Sequence, residues 1–263
     1  MLRLSTGIPT LDKMLAGGIP RGFLVCVCGE PGTGKTIFCI HFTWKGVVNG
    51  EKCIYVTTEE DRDSVVRQAS QFGMDFEGAV RNGSLIIIDA LTGKKDDEWA
   101  LKTLNVEDLV KKVIEAKKRL GVEWARCVID SLSAFWLDKP AMARRYSYLI
   151  KKVFKPWRLT TLAVTQYAIT TSQAFGFGLE HVGDGIIRFI KSIRGGVLKR
   201  YVLIEKMRCT PHDLYLHEVQ IVDGVGMVVM PRRVEARRED LALPREVMEK
   251  IVKAEESKED MLP

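Results

Sequence analysis

No stretch of the 263-residue chain approaches the roughly 18 consecutive apolar residues that cross a bilayer, so no membrane-spanning helix is expected. Its N-terminus, MLRLSTGIPTLDKML, has no basic stretch followed by an apolar one, and no secretion signal is read there. Cysteines number six, and the one close pair, Cys26 and Cys28, has no second pair with which to build a zinc site. Cys39, Cys53, Cys127 and Cys209 are scattered, mostly through apolar runs, so reduced buried thiols in a cytoplasmic protein are expected. Charge of one sign is not in large excess: 40 basic against 34 acidic residues leave +6, compatible with nucleic acid but too small to demand it. Asn and Gln are scarce beside Lys, Arg and Glu, as in thermophilic proteins. Internal repeats and long linkers are also lacking.

What is present is ordinary for a globular domain, with 46% hydrophobic and 28% charged residues. FLVCVCG reads as a buried strand and GTGKTIFCIHFTWKGVVNG as the helix after it. Strands CIYVTTEE, SLIIIDAL, ARCVIDSLSAF and LTTLAVTQYA follow, alternating with helices DRDSVVRQASQFG, NVEDLVKKVIEAKKRLG and AMARRYSYLIKKVFKPW. Asn105 is positioned to cap the second of these helices and Gly121 to stop it, with Leu109, Val113, Ala116 and Leu120 along one face. Strands separated by helices require right-handed crossovers and a mainly parallel, doubly covered sheet. Beyond Ser172, DGIIRFIKSI, KRYVLIEKMR, YLHEVQIV and GMVVM look like antiparallel strands that extend it. The expected fold is α/β, with one domain over 1–231 and a charged, partly helical tail over 232–263.

Gly29, Gly34, Lys35 and Thr36 satisfy the phosphate-loop pattern, in the strand-to-helix context the pattern requires. Glycines let backbone N–H groups converge on phosphate oxygens, and the helix N-terminus adds positive potential. Gly29, Glu30, Pro31, Gly32, Thr33, Gly34, Lys35, Thr36 and Ile37 are therefore expected to hold ATP, with Lys35 at the β- and γ-phosphates and Thr36 on Mg²⁺. Asp130, ending the apolar strand CVID, is the expected second metal residue, with Asp89 at the end of SLIIID as its rival. Glu59 and Glu60 lie just past CIYVTT, at the carboxyl edge of a strand adjacent to the loop, where a base suits in-line attack on the γ-phosphate. Gln166 ends TLAVTQ and is positioned to sense that phosphate.

Those segments together resemble the KaiC-like branch of the RecA superfamily. The opening STGIPTLDKMLAGGIPRGFLVCVCGEPGTGKT, the pair in YVTTEE, the Walker B strand VIDSLSAF, EKMRCTPH and SQAFGFGLEHVGDGII carry the likeness across Ser5 to Met230. A single domain of this kind is most similar to the archaeal RadA paralogs, often called RadC. The resemblance implies a RecA-like ATPase whose nucleotide lies between neighbouring subunits of a homo-oligomer. It makes Glu59 the general base, Glu60 a second acid, and Lys206 and Arg208 fingers that enter the neighbour's site. It also brings His212 toward the nucleotide base.

The segment after Gln166 corresponds by resemblance to a loop that contacts single-stranded DNA. Phe175 and Phe177, between glycines, could stack bases, and Arg144 and Arg145 on the preceding basic helix could hold phosphates. DNA recombination or repair, with recombinase or other repair proteins as partners, is the function implied; an ATP-switched signalling module that ignores DNA is the alternative. The phosphorylated Ser-Thr pair of circadian KaiC has no counterpart, since Glu180 and His181 occupy that neighbourhood. The Phe-x-x-Ala polymerisation motif of recombinases is also not found.

Overall fold

The protein is seen in a computed structural model that describes residues 1–93, 96–137, 139–166 and 178–234. In chain order its elements are β1 (Arg3–Leu4), α1 (Pro9–Met14), β2 (Ile19–Pro20), β3 (Leu24–Gly29), α2 (Lys35–Val48), β4 (Lys52–Thr57), α3 (Arg62–Gln71) and α4 (Phe76–Arg81). There follow β5 (Leu85–Asp89), α5 (Val106–Leu120), β6 (Ala125–Asp130), α6 (Ala143–Phe154), β7 (Leu159–Gln166) and α7 (Leu179–Val182). The last strands are β8 (Gly185–Arg194), β9 (Val197–Met207), β10 (His217–Val222) and β11 (Gly226–Arg233). β1 and β2 form a small ribbon, while the other nine strands make one sheet in the order β11-β10-β9-β8-β3-β7-β6-β4-β5. From β8 to β5 neighbouring strands are parallel, and β9 and β10 are added antiparallel at the C-terminal side. This is a RecA-like architecture, as the sequence leads one to expect.

Side-chain alternation builds two cores from one sheet. Along β3, Val25 and Val27 join Phe38 and Phe42 of α2 on one face, while Cys26 and Cys28 join Leu109 and Val113 of α5 and Ile150 of α6 on the other. Successive side chains of a strand point to opposite faces, so a strand covered on both sides must be apolar throughout. All six residues of β3 are accordingly buried. Helix α5 behaves as its sequence dictates: the Asn105 side chain accepts the Glu107 and Asp108 N–H groups, and Gly121 ends the helix in the left-handed region. All six cysteines are free thiols, and only Cys209 is exposed. No helix among the described residues is long and apolar enough to cross a membrane.

One buried charge ties the N-terminus to the sheet. Arg126 of β6 is 1% exposed, and its guanidinium forks onto Glu51 at 3.0 and 2.8 Å. Its remaining Nη1 donates to the carbonyls of Ser5 and Phe42 at 2.7 and 2.9 Å. The basic run of α5 is likewise occupied within the fold: Lys117 is buried and donates to the Glu123 carbonyl, Lys112 pairs with Glu115, and Lys118 lies over the Trp157 ring.

The sequence reading is corrected in three places. SLSAF does not continue β6, because the chain turns into a 3₁₀ helix over Leu132–Trp136 directly after Asp130. Helix α4 is unexpected; the Asp75 side chain caps it by accepting the Gly78 N–H, a short-range signal easily mistaken for a turn. The strand bearing Glu59 is not adjacent to the loop-bearing strand, since β7 and β6 lie between β3 and β4. The tail beyond Val234 lies outside the described residues.

Candidate active site

The phosphate loop joins the carboxyl end of β3 to the first turn of α2. Gly29 has φ of 147°, and a Cβ there would stand 2.2 Å from the Phe189 carbonyl oxygen, so β8 can lie this close only against glycine. Lys35 is buried and its ammonium donates to the carbonyls of Gly29 and Glu30 at 2.8 and 2.9 Å. Burial pulls the Lys35 pKa down, opposed by the Asp130 and Glu59 carboxylates.

Across the sheet edge, Asp130 is buried at the end of β6 and accepts a hydrogen bond from Tyr55 Oη at 3.0 Å, with Thr36 lining the same cavity. Burial pushes its pKa up, against the Thr36 and Tyr55 hydroxyls and the Lys35 charge. Thr36 and Asp130 thus line one cavity, the pairing a phosphate-loop Mg²⁺ site needs. Asp89 has a different task. Desolvation alone would raise its pKa, but backbone N–H bonds from Thr92, Arg62 and Leu91 outweigh it and hold the carboxylate below its ordinary value. It caps the loop after β5.

Lys35, Thr36, Ile37, Glu59, Asp130 and Gln166 line one cavity of about 410 Å³ together with Pro31, Gly32 and Gly34. Gln166 lies level with Gly29 in the β3–β7 ladder and donates to Glu59. Burial, then the Asp130 charge, raises the Glu59 pKa. Its neighbour Glu60 does not line the cavity; its carboxylate accepts from Gln68 of α3 instead. The two glutamates, equivalent in sequence, are therefore separated in space.

The remaining expected residues fall elsewhere. Lys206 is opposite Ile186 at the start of β8, with its ammonium on the carbonyls of Glu180 and Gly183 at 3.2 and 2.9 Å. Arg208 lies 3.4 Å from Asp184, which also binds Lys151 at 2.6 Å. Gly29 is level with Phe189, three rungs along the ladder from Ile186 and about 10 Å further on, with Arg208 farther still. His212 lies beside Asp213, whose N–H bonds to Met14 at the end of α1. None of the three lines the chain's own phosphate-loop cavity. Arg144 and Arg145 are exposed at the start of α6, and Phe175 and Phe177 lie outside the described residues.

Two cations not singled out in the sequence brace the loop. Lys191 donates to the Pro31 carbonyl at 2.9 Å, and Arg200 Nε to the Gly32 carbonyl at 2.9 Å. They face each other across β8 and β9, and Arg200 with Ile221 also lines the cavity. A signal was present: each stands two residues from a core side chain, Phe189 or Val202, in the buried phase of an alternating strand. Tyr55 was hidden for the opposite reason, as one apolar-looking residue in a buried strand.

Comparison with known proteins agrees with this fold. The sequence pattern of the KaiC ATPases matches residues 4–234. A UPF0273 protein of Thermotoga maritima is 38% identical over 233 residues, covering 87% of this chain and 96% of the relative. Another from Pyrococcus horikoshii is 36% identical over 245 residues, covering 92% and 99%. The crystal structure of a KaiC-like protein from the same archaeon superposes with a TM-score of 0.75 at 30% identity, covering 88% of this chain and 99% of that one. With a phosphate loop, Thr36, Asp130 and a glutamate held by Gln166 in one cleft, and with this likeness along almost the whole described sequence, the chain belongs to the KaiC family of ATPases.

Proposed function

We propose that the protein binds and hydrolyses ATP with Mg²⁺, in a site that a neighbouring copy completes. The carrying observation is the single cavity in which Lys35, Thr36, Asp130, Glu59 and Gln166 converge. Loop N–H groups and Lys35 bind the phosphates, Arg200 and Ile221 wall the side toward β9 and β10, and Glu59 takes a proton from the attacking water. Thr36 and Asp130 would hold the magnesium ion, which when bound neutralises charge on the phosphates. Gln166 holds Glu59 and leads into the segment 167–177, so the state of the γ-phosphate has a direct route to that segment.

Lys206 and Arg208 are too far from their own loop to reach a γ-phosphate bound there, so a catalytic role for them requires another subunit. The family resemblance supports that role. Mixing a Lys35→Ala chain with an Arg208→Ala chain is then expected to restore turnover that neither possesses, with a maximum at intermediate ratios. Turnover that stays absent at every ratio would show that the site is complete within one chain.

The RadA-paralog reading goes a step further, to single-stranded DNA and a role in recombination or repair. What supports it is the start of α6: a Cβ on Gly178 would stand 2.4 Å from the Arg144 backbone nitrogen, so the chain re-enters beside exposed Arg144 and Arg145 immediately after the segment bearing Phe175 and Phe177. Binding of labelled single-stranded DNA is expected at low salt, weakening as salt rises, and further weakened by Arg144→Ala with Arg145→Ala. Absence of binding at low salt would leave an ATP-switched module that recruits proteins.

A further inference from the structure

A second cavity, of about 500 Å³, opens beside the middle of α2, away from the catalytic carboxylates. Ile8, Trp44, Val48, Met74, Val225 and Val229 give it apolar walls, and its polar side chains are Thr10, His41 and Lys45. Among the described residues, no carboxylate lines it. A mostly apolar concavity of this size with a few polar groups is the usual form of a small-molecule site.

The polar groups have a defined sense. His41 Nε2 accepts the Met227 N–H at 2.8 Å, and a neutral imidazole has one donor and one acceptor, so its proton is on Nδ1. Burial lowers the His41 pKa to about 4, which keeps the ring neutral and this tautomer fixed near pH 7. Nδ1 has no partner among the described residues, and neither has the Lys45 ammonium. The cavity therefore offers one cation and the neutral polar groups of His41 and Thr10 against an apolar wall, with no carboxylate lining it among the described residues.

Met227 connects this cavity to the phosphate loop. It lines the cavity and donates its N–H to His41, while its methyl group abuts the loop, 2.9 Å from where a Cβ of Gly34 would stand. Helix α2 makes a second connection, since it begins at Lys35 and contributes His41, Trp44 and Lys45 to the cavity. We propose that this cavity binds a small carboxylate with an apolar body, and that its occupancy is coupled to the phosphate loop through Met227. The carboxylate is received by Lys45 and the His41 Nδ1–H group, and the apolar body by Ile8, Trp44, Met74 and Val229. The coupling rests on the nucleotide-binding reading above, whereas the site itself does not.

Calorimetric titration of the full chain with octanoate and with 1-octanol tests both parts. Octanoate is expected to bind, and Lys45→Gln to weaken it about tenfold, the scale of one charge-assisted hydrogen bond, while 1-octanol is unaffected by that change. Val225→Asp, at a position 53% exposed and so tolerated by the fold, should weaken octanoate by placing a like charge at the wall. Saturating octanoate is expected to change the affinity for Mg·ATP by about fivefold or more, with the reciprocal effect of ATP on octanoate. No octanoate binding up to about 10 mM, or equal binding by wild type and Lys45→Gln, overturns the site. Octanoate binding that leaves ATP affinity unchanged overturns the coupling. In a Lys35→Ala chain octanoate binding is expected to persist, so that failure of the nucleotide reading is told apart from failure of this one.

Discussion

Glu59→Gln is expected to lower ATP turnover about 10²–10⁴-fold while leaving nucleotide affinity within about twofold, the signature of a lost general base. Glu59 lines the cavity, and glutamine preserves its shape and one acceptor for Gln166. Glu60→Gln should do much less, since that carboxylate is turned to Gln68 of α3. The pH profile gives a second reading of the same residue. A base works ionised, and burial with the Asp130 charge raises the pKa of Glu59. Wild-type turnover should therefore rise with pH through a limb displaced upward from that of a free glutamate, and that limb should be missing from the residual rate of Glu59→Gln. A steady-state profile that keeps the limb in the variant would assign it to another group, and unchanged turnover would remove Glu59 from the mechanism.

The second large effect concerns stability. Glu51→Ala is expected to cost about 3–5 kcal/mol, because it leaves the Arg126 guanidinium buried with its counter-charge removed. Arg126 is 1% exposed and cannot turn to water without leaving the Ser5 and Phe42 carbonyls it also binds. Replacing both residues, Arg126→Met with Glu51→Ala, should recover much of that loss, since no unpaired charge then remains. Denaturant unfolding of the two variants and wild type measures the difference. A loss below about 1 kcal/mol for Glu51→Ala would mean that Arg126 is compensated by its two carbonyl bonds alone.

Much of this arrangement is legible along the chain because its signals are local. The Asn105 cap and Gly121 stop of α5, and the glycine spacing of the phosphate loop, each depend on residues within one or two turns of one another. Asp130 could be placed at a strand end, yet Asp89 ends an equally apolar strand, and only hydrogen bonding separates them. Asp89 is saturated by three backbone N–H groups, whereas Asp130 meets Thr36 and Tyr55. Glu59 and Glu60 diverge for a similar reason, one lining the cavity and the other held by α3.

Local signals along the chain set the alternation of strands and helices, the glycine pattern of the phosphate loop, and the apolar strands that must be buried on both faces. These follow from periodicity and from the conformational freedom of glycine, which act over a few residues. Tertiary structure decided the order of the strands, which of two paired acids lines the phosphate-loop cavity, and the separation of Lys206 and Arg208 from their own loop. It also decided that Lys191 and Arg200, some 160–168 residues from the carbonyls they hold, would brace that loop. Such contacts depend on which strands become neighbours, and that is set by the packing of the whole sheet between its two layers of helices.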